Sequence, residues 1–275
     1  MKKYLIIIGN FGSGKTELAL NIAFEAAETK KVTFVDLDIV NPYFRSTERK
    51  AELEAAGIRL LSPSFTNLGV EVPSLPAEIF SAFSDNSDLV IFDVGGDDTG
   101  AIALGQYHRF FSKIDRSAIE VLYVVNARRP FSAELESNLD MIEKVTGAGR
   151  IEIDALVNNT NLSQETSVQE PLDGYKMLRS ISERLNLPVR FTVGVEPVIS
   201  EFARELWTRL PIAVWRIRLG WSVISPFPCI CREIRWCPNV MAGMGRWLTC
   251  WVRKAVSAVF FLLRWKMSGW FLAVI

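Results

Sequence analysis

The run Gly9-Asn10-Phe11-Gly12-Ser13-Gly14-Lys15-Thr16 constrains this chain more than any other stretch of it. It fits the pattern G-x-x-x-x-G-K-[ST], and its flanks are those the pattern needs. Before it, Lys3-Tyr4-Leu5-Ile6-Ile7-Ile8 is a short apolar run rich in β-branched residues, the composition of a strand buried on both faces. After it, Leu18, Ile22 and Ala26 recur at helical spacing between Glu17 and Thr29. A strand, a glycine-rich turn and a helix start leave several backbone N–H groups unpaired and aimed at one spot. The helix dipole adds partial positive charge there, so the expected ligand is a polyphosphate. In that arrangement residues 9–16 cradle the phosphates, Lys15 reaches the β- and γ-phosphates, and the Thr16 hydroxyl is placed on Mg²⁺. The expectation is a nucleoside triphosphate site.

A formal charge of zero conceals two unlike halves. Residues 1–206 carry 21 Lys+Arg and 30 Asp+Glu, whereas 207–275 carry 10 Lys+Arg and a single acid, Glu233. All eight tryptophans lie at or beyond Trp207, and all four cysteines beyond Pro228. This shift predicts a nucleotide-binding domain over 1–206 and a basic, Trp- and Cys-rich tail over 207–275. Cys229, Cys231, Cys237 and Cys250 do not follow a zinc-site spacing. The apolar run from Ala255 to Leu263 is shorter than the roughly 20 residues that span a bilayer, and Arg264 and Lys266 interrupt it. Two readings of the tail remain. A basic, Trp-rich segment can lie on an anionic membrane surface. Alternatively the reading frame has shifted, which yields excess Trp, Cys and Arg, few acids and no clean periodicity. The second is favoured, and it predicts a tail with poor order and no function of its own. Met1-Lys2-Lys3-Tyr4 leads straight into the first strand, so a cytoplasmic location and reduced cysteines are expected. The acidic balance of the body argues against nucleic acid as a partner.

Along 1–206, apolar strand-like runs alternate with helical patterns. After the first strand they fall at 32–36, 58–61, 89–93, 120–125, 153–158 and 189–195, with helices near 46–56, 75–84, 100–112, 132–146 and 171–186. The alternation predicts an α/β fold with a doubly wound, mainly parallel sheet of about seven strands, of the P-loop NTPase type. Ligands in such sheets bind beyond the carboxyl ends of the strands.

The strand ends carry the remaining candidates. Asp93 closes an apolar strand and is followed by Val94-Gly95-Gly96-Asp97-Asp98. An acid there is the expected Mg²⁺ ligand or a support for one. Gly95 and Gly96 would let the backbone come close to a γ-phosphate, as a nucleotide-sensing switch requires. Asp97 and Asp98 read as caps of the next helix. Asp36-Leu37-Asp38 ends the second strand, with two carboxylates at alternate positions. One suits orienting a water and the other supporting the metal, and this is favoured over the alternative of an ordinary acidic turn. Arg45, Arg128 and Arg129 read as phosphate-neutralising groups or as solvated surface.

The phosphate loop, then Val35-Asp36-Leu37-Asp38, then Asp93-Val94-Gly95-Gly96, together resemble the MinD/ParA/CobQ-type branch of P-loop ATPases over about 1–206. The resemblance implies Mg²⁺ support and water activation for Asp36 and Asp38, and Mg²⁺ binding and switching for Asp93. It also implies that Asn158, at a later strand end, hydrogen-bonds the adenine edge; an Asx-turn explains that asparagine as well. The guanine-reading N-K-x-D pattern is absent at 158–161, which favours ATP over GTP. Where the family's loop carries a signature lysine and a glycine, this chain has Asn10 and Phe11. Hydrolysis driven by a lysine from a dimer partner is therefore not implied.

Three functions fit. The first is a Mg²⁺-dependent ATPase acting as a nucleotide switch, with a protein partner or a second copy of the chain. The second is a nucleotide-holding module with negligible turnover that signals to a partner or to a maturing metalloenzyme. The third is a small-molecule kinase or ligase with its acceptor site in 62–76.

Overall fold

Tyr4 to Gly9 are buried along their whole length, and a strand buried on both faces needs helices on both sides of its sheet. The computed structural model describes residues 2–38, 49–62, 77–207, 213–217 and 221–225. Its strands are β1 (Tyr4–Gly9), β2 (Val32–Leu37), β3 (Arg59–Leu61), β4 (Leu89–Val94), β5 (Ile119–Val125), β6 (Ala155–Asn158), β7 (Val189–Val195), β8 (Ala213–Ile217) and β9 (Trp221–Ser225). Its α-helices are α1 (Lys15–Ala27), α2 (Lys50–Ala55), α3 (Asp98–Gln106), α4 (His108–Phe111), α5 (Leu135–Gly149), α6 (Gln169–Leu185) and α7 (Glu196–Trp207). The sheet order is β3-β2-β4-β1-β5-β6-β7-β9-β8.

The seven strands from β3 to β7 are parallel throughout, as the β–α alternation predicts. Alternate residues of β1 serve opposite faces. Ile6 and Ile8 join Phe92, Tyr123 and Val125 under Leu104, Met141 and Leu178 of α3, α5 and α6. Leu5 and Ile7 join Phe34, Ile91 and Val124 under Leu18, Leu20 and Phe24 of α1. The doubly wound architecture therefore follows from period-2 burial in the strands and amphipathic helices on each side.

Several elements differ from their sequence expectation. The segment near 75–84 is a 3-10 helix over Ala77–Phe83, whose i, i+3 spacing puts Phe80 and Phe83 on one side. Phe80 packs on Tyr107 and Phe110, and Phe83 on Tyr107, Phe92, Phe110 and Phe111. The helix expected over 100–112 breaks at Tyr107, whose backbone leaves helical values where its ring enters that aromatic cluster. An additional helix, α7, places Ile199, Phe202 and Ala203 at i, i+3 and i+4 against Leu172 and Tyr175 of α6. Beyond it, β9 pairs antiparallel with β7 and β8 with β9. Ten residues beyond α7 thus extend the sheet, and their β-branched and aromatic composition suits strands. The four cysteines and the run 255–263 lie outside the described residues. No helix among the described residues is long and apolar enough to cross a membrane.

Tyr123 sits fully buried at the centre of β5, and its hydroxyl finds no hydrogen-bond partner. An unsatisfied buried hydroxyl costs about 1–3 kcal/mol, whereas a phenyl ring at the same place costs nothing of the kind. Tyr123→Phe is therefore expected to raise the unfolding free energy by about 1 kcal/mol, read from the urea midpoint at unchanged slope. A loss of stability would show that the hydroxyl has a partner in solution.

Candidate functional site

β1 ends at Gly9 and α1 begins at Lys15, so five residues must reverse the chain and start a helix. Gly12 and Gly14 do this with φ of 75° and 85°, conformations that side chains other than glycine rarely adopt. The turn is closed by Ser13 N donating to Asn10 O at 3.1 Å and by Leu18 N donating to Gly14 O at 3.0 Å. α1 thus starts two residues earlier than its apolar spacing indicates. The first N–H groups of α1, which have no acceptor within the helix, open onto the loop.

Lys15 is 7 % exposed, and its Nζ reaches back to Asn10 O at 3.4 Å. Burial lowers its pKa, and the carboxylates of Asp93, Asp38 and Asp97 act in the opposite direction. Those acids arrive by parallel pairing. Asp36 of β2 stands directly beside Asp93 of β4, and both are buried. Burial raises the Asp93 pKa first and the neighbouring Asp36 raises it further; the Lys15 ammonium and a hydrogen bond from Thr16 oppose this. The other Asp93 oxygen, Oδ1, is buried with no partner. A bare acceptor oxygen beside a threonine hydroxyl fits a Mg²⁺ ion held between Thr16 and Asp93. Such an ion commonly takes only one or two protein ligands besides phosphate oxygens.

Asp36 Oδ1 accepts from Asp38 N at 2.9 Å, a local turn that fixes the chain as it leaves β2. The Asp38 and Asp97 carboxylates flank Gly95: their Oδ1 atoms lie 3.4 and 3.5 Å from where a Cβ on that glycine would stand. Asp97 caps α3 by accepting from Gly100 N at 2.9 Å, the role expected of it. A Cβ on Gly96 would come within 2.6 Å of Phe11 N and 2.8 Å of Lys15 Nζ. Only glycine lets the β4–α3 loop lie this close to the phosphate loop. The fold therefore assembles Lys15, Thr16, Asp36, Asp38, Asp93 and Gly96 against the loop of residues 9–16. Residues 39–45, with Arg45, and the segment 63–76 lie outside the described residues.

Asn158 goes elsewhere. It is fully buried, donates to Pro171 O at 2.9 Å and Thr192 Oγ1 at 3.3 Å, and accepts from Thr160 N at 3.2 Å. Its amide ties β6 to α6 and β7, away from the loop of residues 9–16. The next residue is the one at the site: Asn159 Nδ2 donates to Ser13 O at 2.7 Å. Asn161 Nδ2 donates to Asn159 O at 2.7 Å, and Asn126 Nδ2 to Asn161 O at 3.3 Å. Asn10, in the signature-lysine position, turns inward and donates to Phe131 O at 2.9 Å and Ser132 Oγ at 3.0 Å. The sequence carried a signal for this network in the cluster Asn158-Asn159-Thr160-Asn161 after an apolar strand, but not for its partners. The neighbouring arginines divide: Arg128 binds Glu170 at 3.2 Å and Asp173 at 3.0 Å on α6, whereas Arg129 lies over Gly12.

No protein-family model and no curated protein matches this chain. Solved structures do. Chloroplast FtsY from Physcomitrella patens is similar with a TM-score of 0.51, at 19% identity over 75% of this chain and 65% of that one. The signal recognition particle receptor FtsY from Elizabethkingia anophelis gives 0.45, with 21% identity over 70% of this chain and 58% of that one. FlhF complexed with GMPPNP/Mg²⁺ gives 0.45, with 15% identity over 82% and 71%. The chain thus spans less than two thirds of the length of these FtsY structures. Together with the sheet order and the loop after β1, the likeness to the Physcomitrella protein defines a P-loop nucleoside-triphosphatase fold.

A carboxyl whose pKa is raised by folding binds more protons folded than unfolded, so it withdraws stability as pH rises through the raised value. Asp93 is such a group. In nucleotide- and metal-free protein, the urea midpoint of Asp93→Asn should fall less than that of the parent as pH rises from the unfolded value of 3.8 to about 7. Parallel pH profiles would show that Asp93 ionises as freely folded as unfolded.

Proposed function

We propose that this chain is a Mg²⁺-dependent nucleoside triphosphatase that takes ATP and acts as a nucleotide switch. The observation that carries the reading is the buried Lys15 ammonium beside Asp93, whose Oδ1 lacks a partner next to the Thr16 hydroxyl. In this reading the amides of residues 10–16 cradle the phosphates, and Lys15 neutralises charge between the β- and γ-phosphates. Thr16 and Asp93 would hold a Mg²⁺ ion, which would supply further charge neutralisation to the phosphates. Asp36 and Asp38 close the side of the site facing β2, where a carboxylate suits orienting a water.

The switch follows from close packing. Gly96 lies against Phe11 N and Lys15, and Asp97 one residue on caps α3. A γ-phosphate arriving at Lys15 would meet the 95–96 backbone, and displacing that backbone would move the start of α3. ATP is preferred over GTP because no N-K-x-D follows β6, and Asn161 is engaged with Asn159. Asp36, Asp38 and Asp93 at the strand ends support the MinD/ParA/CobQ branch. Asn10 sets this chain apart within it, because its side chain anchors residues 131–132 rather than facing a partner. The same observation favours a second reading, a nucleotide-holding module whose turnover awaits a partner protein. A cytoplasmic setting and a protein partner, a second copy included, belong to this proposal.

The test is ATP and GTP hydrolysis by the full chain with and without Mg²⁺, beside Lys15→Ala. The expected result is Mg²⁺-dependent turnover, faster with ATP, that falls at least about 100-fold in Lys15→Ala. Tight ATP binding without turnover would select the module. Affinity and turnover unchanged by Lys15→Ala would overturn both.

A further inference from the structure

The geometry points to Arg129 as a phosphate-contacting residue, a cation laid over the phosphate loop from the β5–α5 connection of the same chain. The inference rests on the reading of the site as one for a nucleoside triphosphate. The stem of Arg129 runs along the loop: its Cδ, Cγ and Nε lie 3.6, 3.7 and 3.7 Å from where a Cβ on Gly12 would stand. Its side chain is exposed and, among the described residues, has no hydrogen bond or ion pair. Arg128 shows the contrast, since Glu170 and Asp173 hold its guanidinium on α6.

The segment that bears Arg129 is fixed to the loop it covers. Arg129 N donates to Asn126 O at 3.0 Å, and Ser132 N donates to Arg129 O at 2.9 Å. Asn10, inside the phosphate loop, donates to Phe131 O and Ser132 Oγ just beyond. One asparagine thus shapes the cradle and fixes the backbone of the segment that carries the arginine, whose planar fork loses less freedom per hydrogen bond formed than a lysine would.

Charge gives it the task. Lys15 is faced by the carboxylates of Asp93, Asp38 and Asp97, and Asp36 adjoins Asp93. One ammonium among these acids leaves the site short of positive charge for a triphosphate, even with a divalent cation. Asn10, inside the loop, is neutral and adds no charge of its own. A guanidinium at the rim supplies the missing charge and two parallel donors for phosphate oxygens.

The test uses the full chain and its Arg129→Ala, Arg129→Gln and Lys15→Ala variants, titrated with a non-hydrolysable Mg·ATP analogue, ADP and AMP, with turnover measured in parallel. Arg129→Ala and Arg129→Gln are expected to weaken analogue binding or slow saturated turnover by about tenfold or more. The loss should shrink from triphosphate to monophosphate, at an unchanged urea midpoint. If Lys15→Ala loses binding while both Arg129 variants match the parent in affinity and turnover, the inference on Arg129 fails and the nucleotide site stands. If the parent binds none of the three nucleotides, the site reading fails and Arg129 with it.

Discussion

An ammonium leaves water at a cost of several kcal/mol unless carboxylates meet it, and the burial of Lys15 is the constraint around which this site is built. The carboxylates are available because β1, β2 and β4 lie side by side and parallel, so their carboxyl ends come level. Asp36 and Asp93 are register partners on β2 and β4, and two adjacent buried acids repel unless a cation stands beside them. Neither side of this cluster is satisfied alone. Lys15 is pushed toward its neutral form by burial, and Asp93 toward its protonated form by burial and by Asp36. The bare Asp93 Oδ1 marks where further positive charge belongs.

The rest of the carboxyl edge is held by neutral amides. Asn159 grips the loop at Ser13 O, Asn10 grips the segment after β5, and Asn126 and Asn161 join the ends of β5 and β6. Amides suit this work: each offers two donors and an acceptor without adding charge to a site already rich in carboxylates. A satisfied buried network of this kind fixes one geometry for the cradle, which catalysis by preorganised charge requires.

The sheet, the phosphate loop and the acids at the strand ends were legible because each is a local pattern: apolar runs, a fixed spacing, a polar residue closing a strand. What escaped depended on contacts distant in sequence. Asn158 and Asn159 are adjacent, and they are told apart by partners far along the chain, Pro171 and Thr192 for the first and Ser13 for the second. Arg128 and Arg129 look alike in sequence, and they are told apart by acids of α6 more than 40 residues away. The break at Tyr107 comes from aromatic rings of other elements. α7 begins with Glu196-Pro197, a fair helix start, but its apolar face reads as one only once α6 is there to cover it.

The most direct measurement is a crystal structure of the full chain with Mg²⁺ and a non-hydrolysable ATP analogue. The account predicts the phosphates along residues 10–16, the Lys15 ammonium on the β- and γ-phosphate oxygens, and the metal between Thr16 and Asp93. A nucleotide bound elsewhere, or phosphates in the loop with the metal away from Asp93, would contradict it.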